Sequence, residues 1–205
     1  MLNMIRSTAL AAVLLLAASP AAAEPFQSFL RICTATNADR GAAAEAARNA
    51  GWKALDADMI PDMGDDIRDP VIYVNFDVTR PDAVAPESIE VMVTGWADGS
   101  KVMEMPGMIM DICGVMSPGA DTDTLYQQMT AKMGFAGRIE ETYTYWLYSQ
   151  QNGRLVSEAA LFDAEDEEIT AALRQRRLYA VYLLDEEDMG GIMVGALRLA
   201  GQTAP

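Results

Sequence analysis

The chain has 205 residues, 15 Lys+Arg against 30 Asp+Glu, no histidine and two cysteines, and 51% of it is hydrophobic. A formal charge of −15 repels phosphate backbones and acidic lipid, which argues against nucleic acid and anionic membrane surfaces as partners. The missing histidine removes the Ser-His-Asp and Cys-His constellations, the histidine zinc sites and the commonest general base in one step.

Residues 1–23 carry one positive charge at Arg6, an apolar stretch over 9–18 and a small-residue end, Ala21-Ala22-Ala23. That is the pattern of a secretory signal peptide with cleavage expected before Glu24. The apolar stretch falls short of the roughly 20 residues that span a bilayer. No cysteine near the cleavage point offers a lipid attachment. The expected mature protein is a single domain over 24–205, 182 residues, periplasmic or secreted. It keeps 14 Lys+Arg and 30 Asp+Glu, a net of −16, which suits solubility and a cationic ligand or basic partner.

In chain order, residues 24–52 predict a pair of short helices. Phe26, Phe29, Leu30 and Cys33 recur at helical spacing, so Cys33 belongs to the apolar stripe of the first. The second is alanine-rich, has Asn37 or Asp39 as a cap, and ends at Gly51 before Trp52. Residues 53–69 read as a loop with six aspartates, whose positions 56, 58, 62, 65, 66 and 69 lack the spacing of an EF-hand calcium loop. The period then changes to two through 70–78, 87–97 and 101–116, and Asp98-Gly99 predicts a hairpin between the last two runs.

Asp121 predicts the cap of a helix that buries Leu125, Met129 and Met133 and stops at Gly134. Residues 142–150 and 154–161 flank Asn152-Gly153, the strongest short hairpin signal. The acids at 163 and 165–168 precede arginines at 174, 176 and 177, the charge order that favours a helix dipole. Residues 178–186 and 191–200 predict a final hairpin. Together these elements predict an α+β domain with a mainly antiparallel sheet built from hairpins, an N-terminal helix pair and two further helices packed on it.

Cys33 and Cys113 are expected to pair as a disulfide, since an isolated pair in an oxidising compartment is most simply a bridge. The stretch 101–116 holds five methionines. Met103 and Met105 share a strand face about 7 Å apart, as do Met108 and Met110, and thioethers are soft ligands for Cu(I). Against copper, Pro106-Gly107 separates the two pairs and no histidine strengthens the set. The simpler expectation is a strand covered on both faces, with Met108, Met110 and Ile112 on one side and Ile109, Asp111, Cys113 and Val115 on the other. Likewise Tyr143 and Tyr145 alternate with Trp146 and Tyr148, as core or as a ligand platform.

Enzyme chemistry has little vocabulary here. There is no phosphate-binding loop, the Ser100-Lys101 pair has the wrong spacing for a Ser-x-x-Lys dyad, and only paired carboxylates of a hydrolase are left as a catalytic alternative. No catalytic or cofactor-binding residue is singled out.

The run Phe29-Leu30-Arg31-Ile32-Cys33, followed by Asp39, an alanine-rich helix and Gly51-Trp52, resembles the opening of small secreted proteins of alphaproteobacteria. The resemblance covers about thirty residues and implies an exported single domain with a paired cysteine; it brings no activity with it. The function expected from the sequence is non-enzymatic binding of a protein or small ligand in the periplasm. Cu(I) binding through Met103, Met105, Met108 and Met110 and a carboxylate-dependent hydrolase are the alternatives.

Overall fold

The computed structural model describes residues 24–56, 67–76, 85, 88–102, 107–140, 143–186 and 189–202, with backbone alone at 101, 102, 143 and 186. Among them, nine strands form one antiparallel sheet: β1 (Lys53–Ala54), β2 (Arg68–Val74), β3 (Val91–Asp98), β4 (Met108–Ser117), β5 (Arg138–Glu140), β6 (Tyr143–Gln151), β7 (Arg154–Ser157), β8 (Leu178–Glu186) and β9 (Met189–Leu199). Their order is β1-β2-β3-β4-β9-β8-β6-β5, with β7 also pairing β6. The helices are α1 (Pro25–Phe29), running into a π-helical turn (Leu30–Thr34), then α2 (Arg40–Asn49), α3 (Gly99–Val102), α4 (Thr122–Met133) and α5 (Asp166–Gln175).

Alternation along the strands sends side chains to two covered faces. One face meets α1, the π turn, α2 and α4 in a core that includes Phe29, Cys33, Cys113, Met129 and Trp146. The opposite face meets α5, where Ile169, Ala172 and Leu173 pack on Met108, Met110, Ile112 and Leu147. β4 therefore divides as its alternation predicts, with Cys113 and Val115 on the first face and Met108, Met110 and Ile112 on the second. Trp146 and Tyr148 go to the first face. Tyr145 stacks with Tyr182 and meets the edge of Phe162, and Phe162 and Tyr182 pack on the second.

The local signals that end elements act as expected. Asp121 accepts from Thr124 N and caps α4, which closes at Gly134 with φ 78°. Asn152 and Gly153, with φ 52° and 75°, supply the two left-handed residues that turn β6 into β7. Asp39, not Asn37, caps α2, accepting from Ala42 N at 2.7 Å. Acids Asp166, Glu167 and Glu168 occupy the first turn of α5 and Arg174 the last.

Among the expectations that need correction, residues 53–54 and 68–69, read as loop, lie in β1 and β2. Strand structure does not run from residue 101, because Asp98 Oδ1 accepts from Ser100 N at 2.9 Å and from the Ser100 hydroxyl at 2.7 Å, which ends β3 in a helical turn. β3 and β4 do pair, from Val91↔Met116 to Asp98↔Ile109, but across a longer connection than a two-residue turn. The buried stripe before Cys33 contains Ile32 at 2% exposed, and Leu30 is only partly buried. The π turn, in which Ala35 N reaches Leu30 O, adds a residue per turn and rotates the stripe. Finally, residues 158–161 do not continue a strand; β7 stops at Ser157 and a 3-10 turn follows over Ala159–Leu161.

Candidate functional site

Cys33 and Cys113 form a disulfide with Cα atoms 5.3 Å apart, within the distance a bridge allows. It fastens the π turn to the middle of β4. With both sulfurs committed, neither is a thiolate ligand. Met108 and Met110 are each 2% exposed and pack among aliphatic side chains of the α5 face. Gly195 of β9 leaves the space that Met110 fills, since a Cβ there would overlap Met110 Sδ and Cγ. Met103 and Met105 lie outside the described residues. Of the aspartates at 53–69, Asp56 and Asp69 are described and Asp58, Asp62, Asp65 and Asp66 are not. Among the described residues no group of three or more Cys, Asp or Glu is arranged to hold a metal ion.

The aromatic run is mostly core. Trp146 is fully buried and donates its indole N–H to Phe135 O at 3.2 Å, while Tyr148 stacks on Tyr179 with centroids 5.1 Å apart. Burial, then the Glu140 carboxylate, pushes the Tyr145 hydroxyl up to about 12.

Charged side chains converge instead at a cleft of about 360 Å³ where the start of α2 overhangs β2, β3, β4 and β9. Asp39 and Arg40 come from the cap and first residue of α2, Asp69 from β2, Trp96 from β3, Asp111 from β4 and Arg198 from β9. The strand register brings the last four together: Arg68 lies opposite Trp96, Trp96 opposite Asp111, and Ile109 opposite Arg198. A bulge between Arg68 and Val71 turns Asp69 outward at φ 48°. Gly95 makes the bulge possible, because a Cβ would stand 2.7 Å from Ile67 Cγ2 and 3.0 Å from Arg68 O.

Two ion pairs divide the cleft. On the floor, Arg198 grips Asp111 with Nε to Oδ2 at 2.8 Å and Nη2 to Oδ1 at 3.2 Å, and its Nη1 donates to Gln202 O. This two-pronged arrangement is rigid and largely buried. At the rim, Trp96 Nε1 donates to Asp69 Oδ2 at 2.9 Å, and Arg40 Nη1 stands 3.5 Å from the same oxygen. The indole hydrogen bond, and after it the Arg40 charge, holds the Asp69 carboxyl below its ordinary value. Its side chain remains 70% exposed, so a fixed anion faces solvent beside an indole.

Such a carboxylate accepts and attracts; it does not donate protons near neutral pH. A paired-carboxylate hydrolase needs one acid held protonated. Here Asp69 is held charged, both Asp111 oxygens are bonded to Arg198, and Asp39 Oδ1 is the cap of α2. Sequence reasoning did not reach this cleft, because its members are up to 159 positions apart, Asp39 to Arg198. Asp39 carried a signal as a helix cap, Asp69 as one of the loop aspartates and Asp111 as a strand position, but nothing in the sequence joined them to one another. No known family, curated protein or solved structure matches the chain.

Proposed function

We propose that this protein is exported, processed before Glu24, and works without catalysis by binding a cationic group of a small ligand or basic partner at the Asp69–Trp96 rim. The observation that carries the binding reading is the exposed Asp69 carboxylate, held charged and oriented by the Trp96 indole N–H. A cation placed there meets a fixed anion, and the neighbouring indole ring offers a cation–π surface. The net charge of the expected mature chain steers cations towards it. Arg40 at 3.5 Å is the internal cation that an incoming one displaces.

Trp52 and Trp146 are 6% and 0% exposed, so an added cation reaches Trp96 most directly among the three tryptophans. Titration with spermidine, and separately with oligolysine, is expected to change tryptophan fluorescence saturably at low salt. Asp69→Asn should weaken the response at least about tenfold, and about 0.5 M salt should suppress it. No saturable response, or one unchanged in Asp69→Asn, refutes this rim as the site. Cross-linked capture from periplasmic extract, compared between the wild type and Asp69→Asn, then separates a basic protein partner from a small ligand.

A further inference from the structure

Glu90 precedes β3 and is 6% exposed. The Ser28 hydroxyl of α1 donates to its Oε2 at 2.8 Å. Asn75, beyond the end of β2, holds it from the sheet side: Glu90 N donates to Asn75 Oδ1 at 2.9 Å, and Asn75 Nδ2 lies 3.4 Å from Oε2. The second oxygen, Oε1, is buried without a hydrogen-bond partner. An anion in that position is costly unless a donor or a cation meets it.

Arg31 is not that partner, because its Nη2 donates to the Ser28 hydroxyl at 3.2 Å and so stands one group away. Glu24, the residue before α1, stands one turn from Ser28, whose hydroxyl holds the carboxylate, and its backbone N–H is among the groups that favour the charged form of Glu90. Its position is fixed, since the Glu24 carbonyl accepts from Gln27 N at 2.9 Å and Ser28 N at 3.1 Å. In the continuous chain this nitrogen is a neutral amide with one proton. Hydrolysis of the Ala23–Glu24 bond gives the hydroxyl of water to the Ala23 carbonyl carbon and a proton to the Glu24 nitrogen. The amide thereby becomes an amine, which takes up the proton released by the new Ala23 carboxylic acid, so that near neutral pH the products are a carboxylate and an ammonium group.

We propose that leader removal creates an ion pair between the new α-ammonium of Glu24 and the buried Glu90 carboxylate, which clamps α1 to the β2–β3 edge of the sheet only in the processed protein. The inference rests on processing before Glu24, as read above. The charged groups around the pair are the Glu24 side-chain carboxylate and Arg31, with Ser28 and Asn75 as neutral partners. A free α-ammonium titrates at about 7.7–8.0, and pairing raises that value. With Glu90 ionised, its stabilisation is thus complete below about pH 7.7 and lost as pH rises through the raised value; it is lost again at acid pH, where Glu90 itself takes up a proton.

The intact mass of protein recovered from the periplasm identifies its first residue, with Glu24 expected. Thermal unfolding at pH 6 then compares chains that start at Glu24 with chains that keep one more residue, Ala23, each with Glu90 and with Glu90→Gln. The extra residue is expected to lower the midpoint by about 4 °C or more when Glu90 is present. It should have no effect in Glu90→Gln, and no effect at pH 10 in either. An equal shift in both backgrounds, or none in either, overturns the ion pair and leaves processing standing. A first residue other than Glu24 overturns the processing on which the proposal depends.

Discussion

Glu158 and Arg176 are the clearest case in which two residues hold several elements. Arg176 Nε and Nη2 donate to the two Glu158 oxygens at 2.7 and 2.6 Å, and the Ser149 hydroxyl donates to Oε1 at 2.7 Å. One carboxylate thus joins β6, the 3-10 turn and the end of α5. The Arg176 hydrogen bonds, and after them that from Ser149, hold the Glu158 carboxyl below its ordinary value. Its contribution is therefore present above the ordinary glutamate range, about 4.3, and is lost as pH falls through the lower folded value. Glu158→Gln is expected to cost about 2 kcal/mol in urea unfolding at pH 7. The deficit should shrink as pH falls through the lowered folded value, where the wild-type carboxyl is also protonated. Glu90 has the opposite sign: burial raises its value, so the folded chain favours its neutral form and loses that advantage as pH rises. Neither glutamate was visible as a special residue in the sequence, because each is defined by partners brought to it by the fold.

At the scale of elements, the disulfide links a segment that the sheet does not contain to the centre of the sheet. Its cysteines are 80 residues apart, and closing a loop of that size restricts the unfolded chain by about 4 kcal/mol in the entropic account. Cys33→Ser/Cys113→Ser is expected to lower the urea midpoint, and dithiothreitol should bring the wild type to the same midpoint while leaving the variant unchanged. The elements themselves were legible where one or two residues decide a boundary. Asp121 and Gly134 bracket α4, and Asn152-Gly153 forces the turn between β6 and β7. Misreadings arose where a side chain or a distant strand decides. Asp98 converts a turn signal into α3, the π turn adds Ile32 to the buried stripe while Leu30 packs at its margin, and β5 exists through its pairing with Tyr143–Tyr145 of β6. The cleft was illegible for the same reason: Trp96 meets Asp69 only because β2 carries a bulge at one place in its register with β3.

Across the whole molecule, β9 joins two groups of strands. It pairs β4 from Met108↔Leu199 to Ser117↔Gly190 on one side, and β8 from Leu178↔Leu197 to Glu186↔Met189 on the other. Gly190 and Gly191 let it seat closely, since a Cβ on Gly190 would collide with Ala120 O and one on Gly191 would stand 2.8 Å from Val115 O. Without β9, β1–β4 and β5–β8 have no strand pairing in common among the described residues. A chain ending at Asp185 is expected to lose its cooperative urea transition and its near-ultraviolet circular dichroism, even though the disulfide and the α4 cap remain encoded. A retained sigmoidal transition would show that β1–β4 stands alone. Both partners of β9 precede it in the chain, so a chain emerging from the ribosome in sequence order lacks the middle of its sheet until residues 189–199 have appeared. Such dependence on distant pairings slows folding, and the Cys33 thiol must wait about 80 residues for the strand that carries its partner. The order of synthesis thus acts as a timer, delaying closure of the sheet until nearly all of the polypeptide has been made.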